Sequence, residues 1–366
     1  MNVIIDFIFY HIISVLIVLG VLIFCHELGH FLLAKLFNVK VLKFALGFGP
    51  KIVWKQIGET EYSIRWILLG GFVKLLGEDD DEEIKKLLPE EAARALDRQS
   101  VFKKIAILAA GSISNILLAI MIFTGIHFYQ GEGVYHVKVT KVEENLPAQQ
   151  AGLKQGDLIA KFDGESITSN KGLFAFLFFK AGIPVHLTIL RDNQEMTLQV
   201  IPIEKVVDIN GEKIKTGYLG IEKKEILIQA YPRNLFVSLW RGVQQTGDLI
   251  SLTFVSLGRL IQRKVPVSEL AGIVGISKIT GDAARANIFS LIPMLALLSV
   301  AIGLLNLFPI PILDGSLIVI AVIEALRKKP LALNQKEWVF KIGLAFLLTL
   351  MLFVTYNDIV YRVLKK

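Results

Sequence analysis

A single cysteine, Cys25, in 366 residues leaves no partner for an intrachain disulfide, so this chain is not a disulfide scaffold. The N-terminal stretch MNVIIDFIFYHIISVL has no positive region ahead of its apolar run and no small-residue cleavage site behind it. A cleaved signal peptide is therefore not the expectation, and the segment should be retained. A dedicated basic patch is also missing. Lys and Arg outnumber Asp and Glu by 40 to 33, a balance of +7, yet the basic residues flank apolar segments, which marks membrane topology rather than nucleic-acid binding. What the chain has in excess is apolar residues: 53% of the total, with a mean hydropathy of +0.56, too apolar for an ordinary soluble protein. Its expected surroundings are a lipid bilayer, with no nucleic-acid partner.

Four apolar stretches, near residues 3–37, 105–128, 291–326 and 339–360, are long enough to cross a bilayer core, which takes about 20 helical residues. The expected fold class is a multi-span α-helical membrane protein with four transmembrane helices. Its divisions are 1–37, a first span; 38–102, a loop; 103–128, a second span; 129–204, a small domain; 205–288, a juxtamembrane region; 289–326, a third span; and 337–361, a fourth. Lys35, Lys40, Lys43, Arg98, Lys103 and Lys104 predict that the first loop is cytoplasmic, as do Arg327, Lys328 and Lys329 for the loop after the third span. Arg362, Lys365 and Lys366 run against that scheme.

Within the first loop, β-branched and aromatic residues between glycine-bearing turns predict a membrane-associated β-hairpin, followed by a solvated acidic linker, GEDDDEEIKK. The segment 129–204 carries turn signals at Gly156-Asp157 and Asp163-Gly164, a strand at 158–162, a helical pattern from Lys171 to Lys180, and two alternating strands, VHLTIL and MTLQVIPI. It resembles an α+β PDZ domain, inserted between spans. Residues 236–264 are apolar but carry Arg241, Asp248 and Arg259, and read as an amphipathic helix on the membrane surface.

The chemistry concentrates in HELGH, inside the first apolar run. An ionisable group there costs roughly 2.5–3.5 kcal/mol on insertion scales, so something must offset it. His26 and His30 are four residues apart, and on a helix they project about 40° apart from one face, with Glu27 beside them. Two imidazoles so spaced can share a zinc ion while the glutamate reaches its water. Cys25 points about 100° away from His26 and is read as packing, and His11 as an interior polar residue. A catalytic zinc needs a third protein ligand. Asp314, in LLNLFPIPILDGSLIVI, is the one acidic residue well inside a later apolar span. Its depth and that of His26 are both about 33–35 Å along their helices, which brings them to the same side only if there are four spans rather than five.

HELGH, GGFVKLLGE, the PDZ-like domain, SELAGIVGISK and NLFPIPILDG, in that order, resemble the site-2 protease family of intramembrane zinc metalloproteases, in its bacterial regulator of sigma-E protease branch. The resemblance implies a metalloendopeptidase of the bacterial cytoplasmic membrane, its PDZ-like domain extracytoplasmic, acting on single-span transmembrane substrates in regulated intramembrane proteolysis. It also implies zinc on His26, His30 and Asp314, Glu27 as acid and base, and substrate positioning by Asn306 with Pro309 and Pro311. Ser316, Leu317, Ile273 and Ser112 depart from the family pattern, which bears on substrate contacts near Asp314 and on Asn115. A transmembrane substrate has to unwind, and the strand-like segment 62–73, with Gly70 and Gly71, is the expected edge to hold it extended. Two other classes compete: a transporter or proton relay, which would not need zinc-binding spacing, and a silent scaffold, which would not need Glu27.

Overall fold

A computed structural model describes residues 8–78, 87–167, 173–177, 180–192, 194–209, 212–231, 233–262, 272–329 and 331–358. The core of the acidic linker (79–86), residues 171–172 and 178–179 of the Lys171–Lys180 pattern, the start of SELAGIVGISK and the basic C-terminus lie outside the described residues. Among the described residues, four helices are long and apolar enough to cross a membrane: Tyr10–Leu36, Val101–Gln130, Ile288–Leu307 and Glu337–Asp358. In hydrocarbon a helix satisfies its own backbone groups, so these apolar runs have no other open conformation.

The chain divides into two compact units, one of residues up to 124 together with those from 239 onward, the other of 125–238. In the first unit, helix α1 (Ser14–Leu36) follows a π-helical turn, Ile8–Ile13, and stops where Asn38 turns left-handed at φ 58°. Helix α2 (Val101–Gln130) packs closely on it. A side chain added at Gly29 would lie 2.6 Å from Ser114 Oγ and 2.8 Å from the Ala110 carbonyl carbon, and Ser114 Oγ lies 2.6 Å from the Cys25 carbonyl oxygen.

Between these helices, strands β1 (Val41–Ile57) and β2 (Thr60–Leu75) form more than the expected hairpin, because each bends back midway. Segment 41–46 pairs with 71–75 on one side (Val41 with Leu75, Phe44 with Val73) and with 61–64 on the other (Phe44 with Tyr62, Ala45 with Ser63). Segment 51–57 pairs outside 60–65 (Lys55 with Tyr62, Ile57 with Thr60). The edges of the resulting four-segment sheet are 51–57 and 71–75, and the two connections meet at one end. A side chain at Gly47 (φ +90°) would lie 2.8 Å from the Ile67 carbonyl oxygen, and one at Gly70 would strike the Phe48 ring. Ile52, Val53, Trp54 and Ile57 of the outer edge, with Trp66 and Ile67, are exposed.

The sheet is pinned at its Gly58-Glu59 turn. Arg94 sets both guanidinium nitrogens 2.8 Å from the Glu59 carboxylate oxygens, Lys35 Nζ lies 2.6 Å from Oε1, and Lys40 pairs with Glu91 nearby. The Arg94 hydrogen bond and the Lys35 contacts outweigh partial burial and hold the Glu59 carboxyl at about 2, below its ordinary 4.5. A carboxyl whose pKa is lowered by folding contributes its stabilisation above its unfolded pKa, and that contribution disappears as pH falls through the folded one. Protection factors across residues 41–75, with the intrinsic pH dependence of amide exchange divided out, should thus be flat with respect to this group above about pH 4.5 and fall as pH drops toward 2. Glu59→Gln should show the faster exchange already at neutral pH. Equal exchange in parent and variant at neutral pH would remove the pin.

After α2, helix α3 (Leu235–Ile261) is amphipathic as expected and is not one of the four spans. Its Gly242 meets α2, where a side chain would lie 2.8 Å from the Ile120 oxygen. Helices α4 (Ile273–Ala286), α5 (Leu291–Leu307), α6 (Asp314–Arg327) and α7 (Leu333–Asp358) complete the unit. The third span, expected as one run over 289–326, breaks at 308–313. Pro309 and Pro311 remove two backbone donors there, and the chain restarts as a helix at Asp314.

The second unit is a sheet ordered β10-β3-β4-β6-β7, with β5 paired to β4 and a separate hairpin of β8 and β9. The strands are β3 (Glu132–Val142), β4 (Leu158–Phe162), β5 (Glu165–Ser166), β6 (Val185–Arg191), β7 (Gln194–Val200), β8 (Ile203–Ile209), β9 (Glu212–Tyr218) and β10 (Ile221–Tyr231). Val137, Ile159, Phe162, Leu187 and Ile189 are among its fully buried core. The turn at Asp163-Gly164 is left-handed at both residues, φ 48° and +83°, the geometry that joins adjacent strands tightly. Buried Asp157 accepts two bonds from Arg191, at 2.8 and 2.7 Å. The domain boundary expected at 204 falls short: β10 pairs with β3 along its whole length, from Ile221 with Val142 to Tyr231 with Glu132. Partners that far apart in sequence leave no local pattern to read.

Candidate metal centre

His26 and His30 project from α1 toward Asp314, the first residue of α6. His26 Nε2 and His30 Nε2 are 3.3 Å apart, and Asp314 Oδ2 lies 3.1 Å from the first and 3.4 Å from the second. Ligands held about 2.0–2.1 Å from one tetrahedral ion stand about 3.3 Å apart, so the triangle has the size a zinc ion requires. The donor chemistry agrees. His30 Nδ1 lies 2.8 Å from the Ile107 carbonyl oxygen, a bond that puts the ring proton on Nδ1 and leaves a lone pair on Nε2. That lone pair and the carboxylate then converge at 9% exposure of each histidine, an arrangement that repels unless a cation lies between. The three residues form the set of potential metal ligands found among the described residues, and Cys25 is not part of it.

Three surrounding features were not apparent from the motifs. Gly111 of α2 backs the site: a side chain there would put its first carbon 2.7 Å from His26 Cε1 and 2.8 Å from His26 Nε2. Its one sequence signal was the run of small residues Ala109-Ala110-Gly111-Ser112 in an apolar helix. Gly71 does the same for Glu27, whose Cγ would lie 3.1 Å from an added side chain. The Val73 backbone N–H donates to the Glu27 carboxylate, so edge segment 71–75 lies against the acid.

Asn306, in the last turn of α5, sets Nδ2 3.3 Å from His26 Nε2. Pro309 and Pro311 shape the loop before Asp314, and Pro311 packs on α7. Ser316 turns back to its own helix start, its hydroxyl donating to the Leu313 oxygen at 2.8 Å. Ser112 and Asn115 are fully buried on α2. Ser299 of α5 donates to the Asn115 carbonyl at 2.7 Å, and a side chain at Gly303 would lie 3.0 Å from the Ser112 oxygen. His11 stands apart from the cluster, 3.6 Å from Asp282 of α4.

Two imidazoles and a glutamate on a helix of membrane-spanning length, met by a carboxylate from the start of another helix, define a membrane-bound metal-dependent hydrolase. Comparison with known sequences narrows that class. The profile of peptidase family M50, the site-2 proteases, matches residues 14–350, and the chain belongs to this family. It is 33% identical over 362 residues to a protein of Agrobacterium fabrum, covering 95% of each chain. It is 34% identical over 355 residues to one of Clostridium perfringens, covering 97% of this chain and 100% of the relative. Both relatives bear the name "Putative zinc metalloprotease". The chain is a zinc metalloprotease and a multi-pass membrane protein.

Proposed function

We propose that the chain hydrolyses peptide bonds within or near the transmembrane segments of single-span membrane proteins, with His26, His30 and Asp314 holding zinc and Glu27 serving as acid and base. The observation that carries this reading is the 3.1–3.4 Å triangle of ligand atoms beside Glu27. Bound there, zinc supplies Lewis acidity, lowering the pKa of a water to about 7 and polarising a peptide carbonyl. Glu27 takes the proton of the attacking water and returns it to the leaving amine nitrogen. The Val73 N–H orients its carboxylate, and Gly71 leaves the space it occupies. Asn306, in the last turn of α5, offers an amide donor to the substrate, and Pro309 and Pro311 stiffen the loop that follows.

The substrate strand adds to edge segment 71–75, which overlaps the expected 62–73 stretch only at 71–73. Tyr62 to Ile64 lie inside the sheet, paired on both sides, so they take no part in that addition. The exposed Ile52, Val53, Trp54 and Trp66 fit a sheet that dips into the bilayer. Because helical carbonyls are already bonded, a Gly-Pro pair introduced beside the scissile bond should raise cleavage of a model single-span substrate by the reconstituted protein. Mass spectrometry of the products locates the cut. Unchanged rates, with cuts confined to soluble segments, would sink the intramembrane reading. Anti-sigma factors and signal-peptide remnants are the substrate kinds this reading covers, in regulated proteolysis at the bacterial cytoplasmic membrane.

The unit 125–238 is read as a PDZ-like domain on the extracytoplasmic side, filtering substrates by the size of their outer domains. It contributes no ligand to the triangle. Deleting residues 132–231 should leave cleavage of short-ectodomain substrates intact and raise that of long ones. Equal loss of both, with zinc retained, would contradict a filter.

A further inference from the structure

We propose that Gly343 of α7 seats the Pro311-Ile312 turn and so holds Asp314 on the two histidines, making a helix that supplies no ligand a determinant of zinc affinity. The inference rests on Asp314 being a zinc ligand. Its starting point is Ile312, whose backbone is left-handed at φ 84°. A β-branched residue adopts that conformation only where its surroundings over-determine it.

The surroundings here act from three directions. On the chain's own side, the loop closes hard on the end of α5: a side chain at Gly315 would strike the Leu307 and Phe308 carbonyl oxygens. Within the loop, Ile310 N–H donates to the Phe308 oxygen at 2.7 Å, and Leu313 N–H to the Ile310 oxygen at 3.1 Å. From outside, α7 presses on the apex. One methyl on Gly343 would lie 2.9 Å from Pro311 Cγ and 3.0 Å from its carbonyl carbon, and closer still to Cβ. Much of the rest of α7 is exposed, including Phe346, Leu348 and Leu352. Its far end is tied to the start of α4, where Asp358 Oδ2 accepts the Gly272 and Gly275 N–H groups at 3.0 and 2.9 Å. Asp314 follows Ile312 by two residues, so a shift of the apex moves Oδ2 off its 3.1 and 3.4 Å positions.

The test measures zinc affinity by chelator competition, and the visible spectrum of the cobalt-loaded form, on the full chain in detergent. Gly343→Ala should weaken zinc by about 10- to 100-fold, the cost typical of removing a residue that orients a metal ligand, and should change the cobalt spectrum. Combining it with Pro311→Gly, which removes the ring it strikes, should restore affinity. Ile312→Pro, which cannot take a positive φ, should also lose zinc. Ile312→Gly, which takes it freely, should keep zinc and raise the melting temperature of the metal-free protein. If Gly343→Ala does not fold, the contrast between the two Ile312 variants decides, and equal affinities overturn the proposal. Parental affinity and spectrum in a folded Gly343→Ala likewise overturn it. Full zinc content in Asp314→Ala would instead overturn the ligand assignment beneath it.

Discussion

Glu27→Gln is expected to leave zinc bound and the fold intact while lowering peptide hydrolysis by about 10²- to 10⁴-fold, the range that a positioned acid-base group contributes. The amide keeps the side chain's size in the space that Gly71 leaves for it, and its oxygen still accepts the Val73 N–H. What it loses is the ability to take a proton from water. Zinc content by elemental analysis and turnover of a model transmembrane substrate check the two halves separately. Near-normal turnover would remove Glu27 from the reaction. Loss of zinc would mean that the carboxylate contributes to the metal site as well.

Asp314→Ala should empty the site. It removes the one anionic member of the triangle and leaves two imidazole nitrogens 3.3 Å apart. The affinity loss should exceed the about 10- to 100-fold that accompanies removal of a residue that merely orients a ligand. Asp314→Asn separates charge from shape: an amide of the same outline, unable to supply the negative oxygen, should bind zinc far more weakly than the parent. Full zinc content in either variant would disqualify Asp314.

The residues that were legible in the sequence are those whose relation is local. The spacing of His26 and His30 is a property of one helix turn, so their side chains are expected together without any tertiary information, and their Nε2 atoms stand 3.3 Å apart. The Asp163-Gly164 turn and the strand at 158–162 are of the same kind. Asp314 was reached by elimination and depth, and it does meet the histidines, but from the start of a new helix rather than from within a continuous span. Gly111, Gly71 and Val73 were not legible as parts of the centre. Their proximity to His26 and Glu27 depends on how α2 and the sheet lie against α1, and a glycine in an apolar run has no pattern to set it apart. For the same reason the β1–β2 segment read as a hairpin: alternation predicts strands but not that segment 41–46 takes partners on both sides.

The crossed connections of that sheet have a mechanical consequence. Gly47 lies on the backbone at Ile67, and Gly70 under the Phe48 ring, so each connection passes over the other's neighbouring strand. Neither edge can be peeled away like the end of a zipper, since lifting 71–75 drags its connection against the one above 60–65. In the strand addition proposed above, a substrate drawn along that edge would pull on backbone braced by both connections rather than on a loose flap.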